Sequence, residues 1–118
     1  MALRHAVLER FATSVHKPSF IRDDLLVKVQ AAGHLDAGEL IAQLEERAVI
    51  ADAKIELFAG LLRRMRGDRR EEEFLRHGDR IGPYLTCRRG LAFEEGDRDW
   101  CRRSAAILRE RRTAHAER

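Results

Sequence analysis

The most reactive side chains in this sequence are two cysteines, Cys87 and Cys101. A thiol becomes nucleophilic when nearby positive charge lowers its pKa, and an Arg-Arg pair follows each cysteine in the sequence. If both lie on one helix, they are about 21 Å apart along its axis, too far for a disulfide within one chain. We therefore expect free thiols, which either are buried at an interface or act as a redox sensor.

An aromatic pair on the same segment could bind a flat ligand. Phe93 and Trp100 are seven residues apart, so they share one face of a helix. Together with Cys101 they define a candidate pocket for a planar ligand. The alternative is that both aromatic side chains serve core or interface packing, which is the more common role of such a stripe.

Signals for enzymatic or metal chemistry are weak. Glu73 and His77 have i, i+4 spacing and Asp79 is nearby, but a metal site needs several ligands in fixed geometry and the other histidines are scattered singly. The serines lie outside any Gly-x-Ser-x-Gly turn, and no glycine-rich phosphate loop is present. We expect no catalysis, no metal and no cofactor.

The composition predicts one all-α domain. The chain has 118 residues, of which 36% are charged and only 6% aromatic, with few of the Val, Ile and Thr runs that strands require. The sequence shows neither a signal-peptide pattern nor an apolar run longer than "IELFAGLL". We therefore expect a cytoplasmic protein without a membrane partner.

The net charge of +3 is unevenly distributed. Residues 1–60 carry a balance of −2 and residues 61–118 a balance of +5, but acidic residues accompany each basic cluster. This favours a mixed, solvated surface. Residual DNA binding through an arginine-rich stripe that includes Arg63, Arg64 and Arg66 stays open as a weaker hypothesis.

Hydrophobic periodicity divides the chain into helices. A short apolar stripe predicts a helix over 2–12, and Ser19 is the expected N-cap of a second short helix that ends at Gly33. Asp36 and Glu39 form an acidic capping box, which predicts a long helix over 37–66. A charged connector anchored by Phe74 and Leu75 then leads to a second long helix over 84–110, which begins near Pro83.

The helix over 37–66 carries a coiled-coil rhythm. Its apolar positions follow one another at steps of three and four: Leu40, Leu44, Ala48, Ala51, Ile55, Phe58, Leu62 and Met65. Thirty residues of helix measure about 45 Å, whereas a compact chain of this length would have a diameter near 35 Å. One end of the helix should therefore project and find a partner.

Several segments resemble a known family. The stretches "KPSFIRDDLLVKVQ", "LDAGEL" and "GPYLTCRRGLAFEEGDRDWCRRSAAIL" are similar to the C-terminal, virulence-activator-like dimerisation domain of PadR-family bacterial transcriptional regulators. The opening "MALRHAVL" resembles the first helix of such regulators. The resemblance implies a cytosolic homodimer held by C-terminal helices, often with the first helix in the interface. The family's winged helix-turn-helix is missing, because residues 9–19 leave no room for it.

The resemblance and the periodicity together define our expectations. Residues 1–15 are a remnant of the regulator's first helix, and residues 16–118 are a PadR-like C-terminal helical dimerisation domain. The expected fold is all-α, with a short N-terminal helix, a second short helix and two long antiparallel helices in a dimeric bundle. The expected interface residues are Leu3, Val7, Phe11, Leu44, Ala51, Ile55, Phe58, Leu62, Phe93, Trp100 and Ile107.

The expected function is that of a dimerisation and regulatory module of a PadR-like regulator that lacks its own DNA-reading winged helix. DNA contact is expected only through the winged helix that is missing here. The alternative is a sensor that binds a small molecule, or responds to redox state, at the dimer interface.

Overall fold

The computed structural model describes residues 2–18 and 22–116, and all regular structure in these ranges is helical. The helices are α1 (Ala2–Thr13), α2 (Asp24–Gln30), α3 (Ala37–Arg66), α4 (Glu71–His77) and α5 (Ile81–Ala116), with a 3-10 turn at Ala32–His34. No strand occurs in the described ranges. The all-α class and the pair of long helices predicted from the sequence are confirmed.

The boundaries of α3 agree with the sequence prediction. The Asp36 carboxylate accepts a hydrogen bond from the Glu39 backbone N–H at 3.1 Å, which caps the first turn. The helix ends at Gly67, whose φ of 58° and ψ of −130° form a combination that only glycine adopts easily. A side chain at this position would strain the turn that leads to α4.

The other predicted boundaries are less accurate. Asp23, and not Ser19, is the N-cap of α2, since its carboxylate accepts a hydrogen bond from the Leu25 N–H at 3.0 Å. Ser19 itself lies outside the described residues. Helix α5 begins at Ile81 and continues to Ala116, so it is longer at both ends than the predicted 84–110. Pro83 is its third residue and not its first.

Helices α3 and α5 form an antiparallel hairpin. Cross-helix contacts join early residues of α3 to late residues of α5 and then run in reverse order: Glu45 to Arg109, Asp52 to Arg98, and Arg66 to Tyr84. The short helix α4 lies between them in the chain and closes one end of the hairpin. The predicted antiparallel arrangement is thus present within one chain.

Two separate cores hold the hairpin together. The first core joins α2, α3 and α5 through Leu25, Leu40, Ile41, Leu44, Ala48, Cys101 and Ala105. The second core lies at the α4 end and contains Leu62, Phe74, Tyr84 and Cys87. Because apolar burial is the main favourable term in folding, these two clusters fix the register of the long helices.

The second core contains a polar network. The Phe74 and Tyr84 rings pack with centroids 4.6 Å apart. The Tyr84 hydroxyl donates to Glu71 Oε2 at 2.6 Å and accepts from Arg66 Nη1 at 3.3 Å. Burial, followed by the bond to Glu71, raises the pKa of Tyr84 above its ordinary value of 10.0, so its hydroxyl is a neutral donor. This satisfied network links the end of α3 to the start of α5.

The chain is far from spherical. Its extents are 70 × 36 × 17 Å and its radius of gyration is 20.5 Å, whereas a compact domain of this length would have a radius of gyration near 13.5 Å. The chain is therefore elongated, but both ends of α3 are packed, since Leu40 lies in the first core and Leu62 in the second. Among the residues described, no helix combines the length and the apolar character needed to cross a membrane.

Candidate functional site

The outer face of α5 carries large apolar side chains that remain exposed. Phe93, Trp100 and Ile107 follow one another at intervals of seven, and Leu85 extends the row toward the start of the helix. Trp100 is 38% exposed and Phe93 is 45% exposed, although both are among the largest apolar side chains in the protein. We call these four residues the α5 seam. A row of exposed aromatic and aliphatic side chains is typical of an interaction surface.

A shallow groove lies along the α5 seam. Its volume is about 410 Å³, and its lining is mainly apolar, with Leu26 from α2 and Ala92, Phe93, Gly96 and Trp100 from α5. Arg89 and Asp97 supply the polar part of its lining. The groove brings Phe93 and Trp100, two of the three predicted pocket residues, together in one lining. Leu26 was not among the predicted pocket residues, because it lies on α2, 67 residues before Phe93 in the sequence.

Cys101 does not belong to this groove. The residue next to Trp100 on a helix points about 100° away, and Cys101 is fully buried in the first core between α2 and α3. Burial, reinforced by Asp97, raises the pKa of Cys101 to about 11. The inclusion of Cys101 in the ligand pocket is thereby corrected. A redox sensor needs a lowered pKa, which is the opposite of what burial produces here.

Cys87 is a second buried thiol. It lies in the second core, and its Sγ is 3.8 Å from the Phe58 carbonyl oxygen, to which it donates. Both cysteines are free. Their placement on one helix, too far apart for a disulfide, agrees with the sequence prediction.

Three of the expected interface residues on α3 are internal. Leu44, Ala51 and Leu62 have almost no exposed surface, because α3 packs against α5 of the same chain. A side chain without exposed surface cannot contact a partner in this conformation, so these three positions belong to the intramolecular core. Ile55 and Phe58 are half-buried and retain only part of their surface.

The structure leaves the predicted interface residues of α1 open. Leu3, Val7 and Phe11 are all more than half exposed, and no residue of α1 whose burial is described is buried. An isolated helix of three turns is marginal in water, so α1 needs a packing surface that the rest of the described chain does not supply.

Arginine side chains along the hairpin are held by acidic partners. Asp52 accepts from Arg98 at 3.3 Å and from Arg102 at 2.5 Å, and Arg109 pairs with Glu45. At the other edge Asp23 pairs with Arg47. These cross-element pairs were invisible in the sequence, because their members lie 24 to 64 residues apart. They support the expectation of a mixed surface over that of a basic stripe.

Glu73 and His77, which carry the weak metal signal in the sequence, do not belong to a cluster of metal ligands among the described residues. Glu73 and His77 both lie on the short helix α4 and are exposed. Residues 2–18 and 22–116 hold no group of three or more His, Cys, Asp or Glu side chains arranged for a metal ion.

Comparison with known proteins bears on the identity of the domain. The family model described as "Virulence activator alpha C-term" matches residues 21–109, which include α2, α3, α4 and most of α5. Comparison with curated proteins and with solved structures gives no match. The matched range covers most of the chain and contains both cores and the α5 seam. The protein therefore belongs to the family of virulence activator alpha C-terminal domains, which are regulatory modules.

Proposed function

We propose that this domain is the homodimerisation and effector-responsive module of a PadR-like transcriptional regulator in the cytoplasm, without catalytic activity. The observation that carries the proposal is the exposed α5 seam on an elongated hairpin. Phe93, Trp100 and Ile107 repeat every seven residues, which is the spacing that lets one helix pack along another. Among the residues that the structure describes, 38% to 45% of the surface of each of these three side chains stays uncovered.

A second copy is the partner that fits this seam. Helix α1 has an apolar stripe at Leu3, Val7 and Phe11 and nothing to pack against, while the hairpin has an uncovered apolar face. In a twofold-symmetric dimer each surface is present twice, so α1 of one protomer can cover the seam of its partner. Both apolar surfaces are then removed from water by the same association.

The proposed role does not include base reading by a winged helix between α1 and α2. Only residues 14–23 separate these two helices, and a helix-turn-helix needs more than twenty residues. Arg98, Arg102 and Arg109 pair with Asp52 or Glu45, which reduces the net positive charge on that part of the hairpin.

Charge placed in the seam tests the proposal. Trp100→Glu should convert the dimer into a folded monomer, because the exposed part of the ring tolerates a polar side chain but an apolar interface does not. Leu57→Glu is the matched control, since Leu57 is exposed on α3 and lines a different cavity. Light scattering after a sizing column gives the mass, and circular dichroism checks the helical content. A Trp100→Glu protein that stays dimeric would contradict the proposed interface.

A small apolar effector is the second candidate function, and the groove beside Phe93 and Trp100 favours it. A volume near 410 Å³ is within the range of small-molecule sites. Trp100 is the only tryptophan in the chain, so its fluorescence reports directly on this groove. A planar probe such as 2-naphthol should quench the emission saturably and bind less tightly to Phe93→Ala. Quenching that is linear in probe concentration would argue against the site.

A further inference from the structure

A second cavity lies at the opposite part of the hairpin, where α3 ends and α5 begins. Its volume is about 360 Å³, which is within the range of small-molecule sites. Arg66 from the last turn of α3, Arg69 from the following loop and Arg80 from the residue before α5 all line it. Pro83 at this cavity and Trp100 in the groove are about 25 Å apart along α5, so the two sites are separate.

The cavity carries an excess of positive charge. In the part of the chain that the structure describes, no carboxylate lies within 4.0 Å of the guanidinium groups of Arg66, Arg69 and Arg80, whereas Arg98, Arg102 and Arg109 are paired with Asp52 or Glu45. Asp79 is the only acidic residue in the lining. Helix α5 also begins here without an acidic residue in its first turn, so the positive end of its dipole adds to the field.

The remaining wall of the cavity is apolar. It consists of Met65, Phe74 and Pro83, and Met65 is 41% exposed. Arginine binds carboxylate and phosphate groups through paired hydrogen bonds. A bare inorganic ion would satisfy the arginines and leave this wall in water. An anion with an organic body would satisfy both parts of the lining.

The backbone at Arg80 is consistent with a binding role. Its φ of 56° is the only positive value among non-glycine residues of the described ranges. Glycine would adopt this conformation without strain, yet the position holds an arginine whose side chain lines the cavity.

We propose that this cavity binds a small organic anion. Arg69 and Arg80 hold its carboxylate or phosphate group, while Met65 and Pro83 contact its apolar body. Arg66 also lines the cavity, where it adds positive charge and keeps its hydrogen bond to the Tyr84 hydroxyl.

Titration of the ¹⁵N-labelled full chain with benzoate, followed through amide chemical shifts, tests this proposal. Benzoate should shift the amides of Arg69, Asp79 and Arg80 saturably, and benzamide, its uncharged counterpart, should not. Arg69→Gln and Arg80→Gln should each raise the dissociation constant for benzoate at least fivefold. Arg103→Gln is the control, because Arg103 is exposed on α5 about 30 Å from Pro83 along the helix.

Three results would overturn the proposal. One is the absence of saturable shifts at these amides, and another is equal binding of benzamide. The third is an unchanged dissociation constant in both glutamine variants. A parallel titration with inorganic phosphate separates the two sources of anion: phosphate that binds as tightly as benzoate at the same amides would overturn the assignment of an organic body.

Discussion

Gly78 is the position at which one added methyl group would disturb the packing most directly. A Cβ atom there would lie 2.6 Å from the Phe74 carbonyl oxygen and 2.5 Å from Cδ2 of its ring. Since the backbone oxygen cannot move away cheaply, Gly78→Ala should destabilise the fold by about 2 kcal/mol. Urea unfolding monitored by circular dichroism measures this change.

Gly82 provides the matched control. It lies in the first turn of α5, and a Cβ atom there would meet nothing within 4 Å. Gly82→Ala should leave the stability unchanged or raise it by about 0.5 kcal/mol, because alanine loses less backbone entropy in a helix. Equal effects of the two substitutions would show that the close approach at Gly78 is unimportant.

Asp23, which joins the start of α2 to Arg47 of α3, makes the free energy of unfolding depend on pH. Its hydrogen bond with Arg47 holds the pKa of Asp23 below the ordinary 3.8. A lowered pKa stabilises the fold above the unfolded value, and this contribution is lost as pH falls through the folded value. Asp23→Asn should therefore cost about 1 kcal/mol at pH 7. The difference from the natural chain should shrink as pH falls below 3.8, because the carboxylate of the folded protein then becomes protonated.

Asp23→Ala separates the two roles of this carboxylate. Asparagine retains the cap on the Leu25 N–H, whereas alanine removes both the cap and the ion pair with Arg47. The alanine variant should lose about 1 kcal/mol more than the asparagine variant at pH 7. Urea unfolding of all three proteins at pH 7 and pH 2 gives the comparison. An Asp23→Asn effect that is as large at pH 2 as at pH 7 would contradict the proposed ion pair, whereas the additional loss in Asp23→Ala should remain at both pH values.

The position of Cys101 predicts a slow thiol. A fully buried side chain with its pKa raised to about 11 is protonated near neutral pH. In a Cys87→Ala background, Cys101 should react with Ellman's reagent at least about tenfold more slowly in the native state than after unfolding. Fast reaction of the native protein would revive the redox hypothesis.

At the scale of elements, the sequence predicted the bounds of α3 correctly but did not identify the helix that packs against it. The capping residue Asp36 and the terminating Gly67 are local signals, and they define the helix correctly. The stripe that contains Leu44 and Leu62 predicts an apolar face, but a heptad pattern does not identify the helix that packs on it. In the structure that helix is α5 of the same chain.

The lining of the groove beside Phe93 and Trp100 was also predictable only in part, because hydrophobic periodicity does not show which helix packs against which face. The seven-residue spacing places Phe93 and Trp100 on one face of α5, and in the structure both side chains line one groove. Which face of α5 meets α3 depends on helix rotation, so the sequence could not exclude Cys101. The contribution of Leu26 depends on how α2 lies across the hairpin, which no local pattern reports.

Helix α1 should affect association more than folding. Its apolar side chains are exposed and contribute nothing to either core. Deletion of residues 1–15 should leave the urea midpoint of the monomeric Trp100→Glu protein unchanged and raise the dimer dissociation constant of the otherwise unaltered chain at least about tenfold. A deletion that unfolds the monomer would show that α1 belongs to the core.

At the scale of the whole molecule, the shape itself argues for a partner. A hairpin 17 Å thin has a large surface for its length, and its two small cores bury few large side chains. Association along the α5 seam would bury the exposed aromatic residues. The elongated chain and the exposed seam thus have one explanation.

Dimerisation along that seam is the central claim, and sedimentation equilibrium of the reduced, unmodified chain at several concentrations tests it most directly. We predict twice the chain mass of 13.6 kDa, retained on dilution into the low micromolar range. A single species of 13.6 kDa at every concentration would contradict the proposed dimer and leave the α5 seam without its partner.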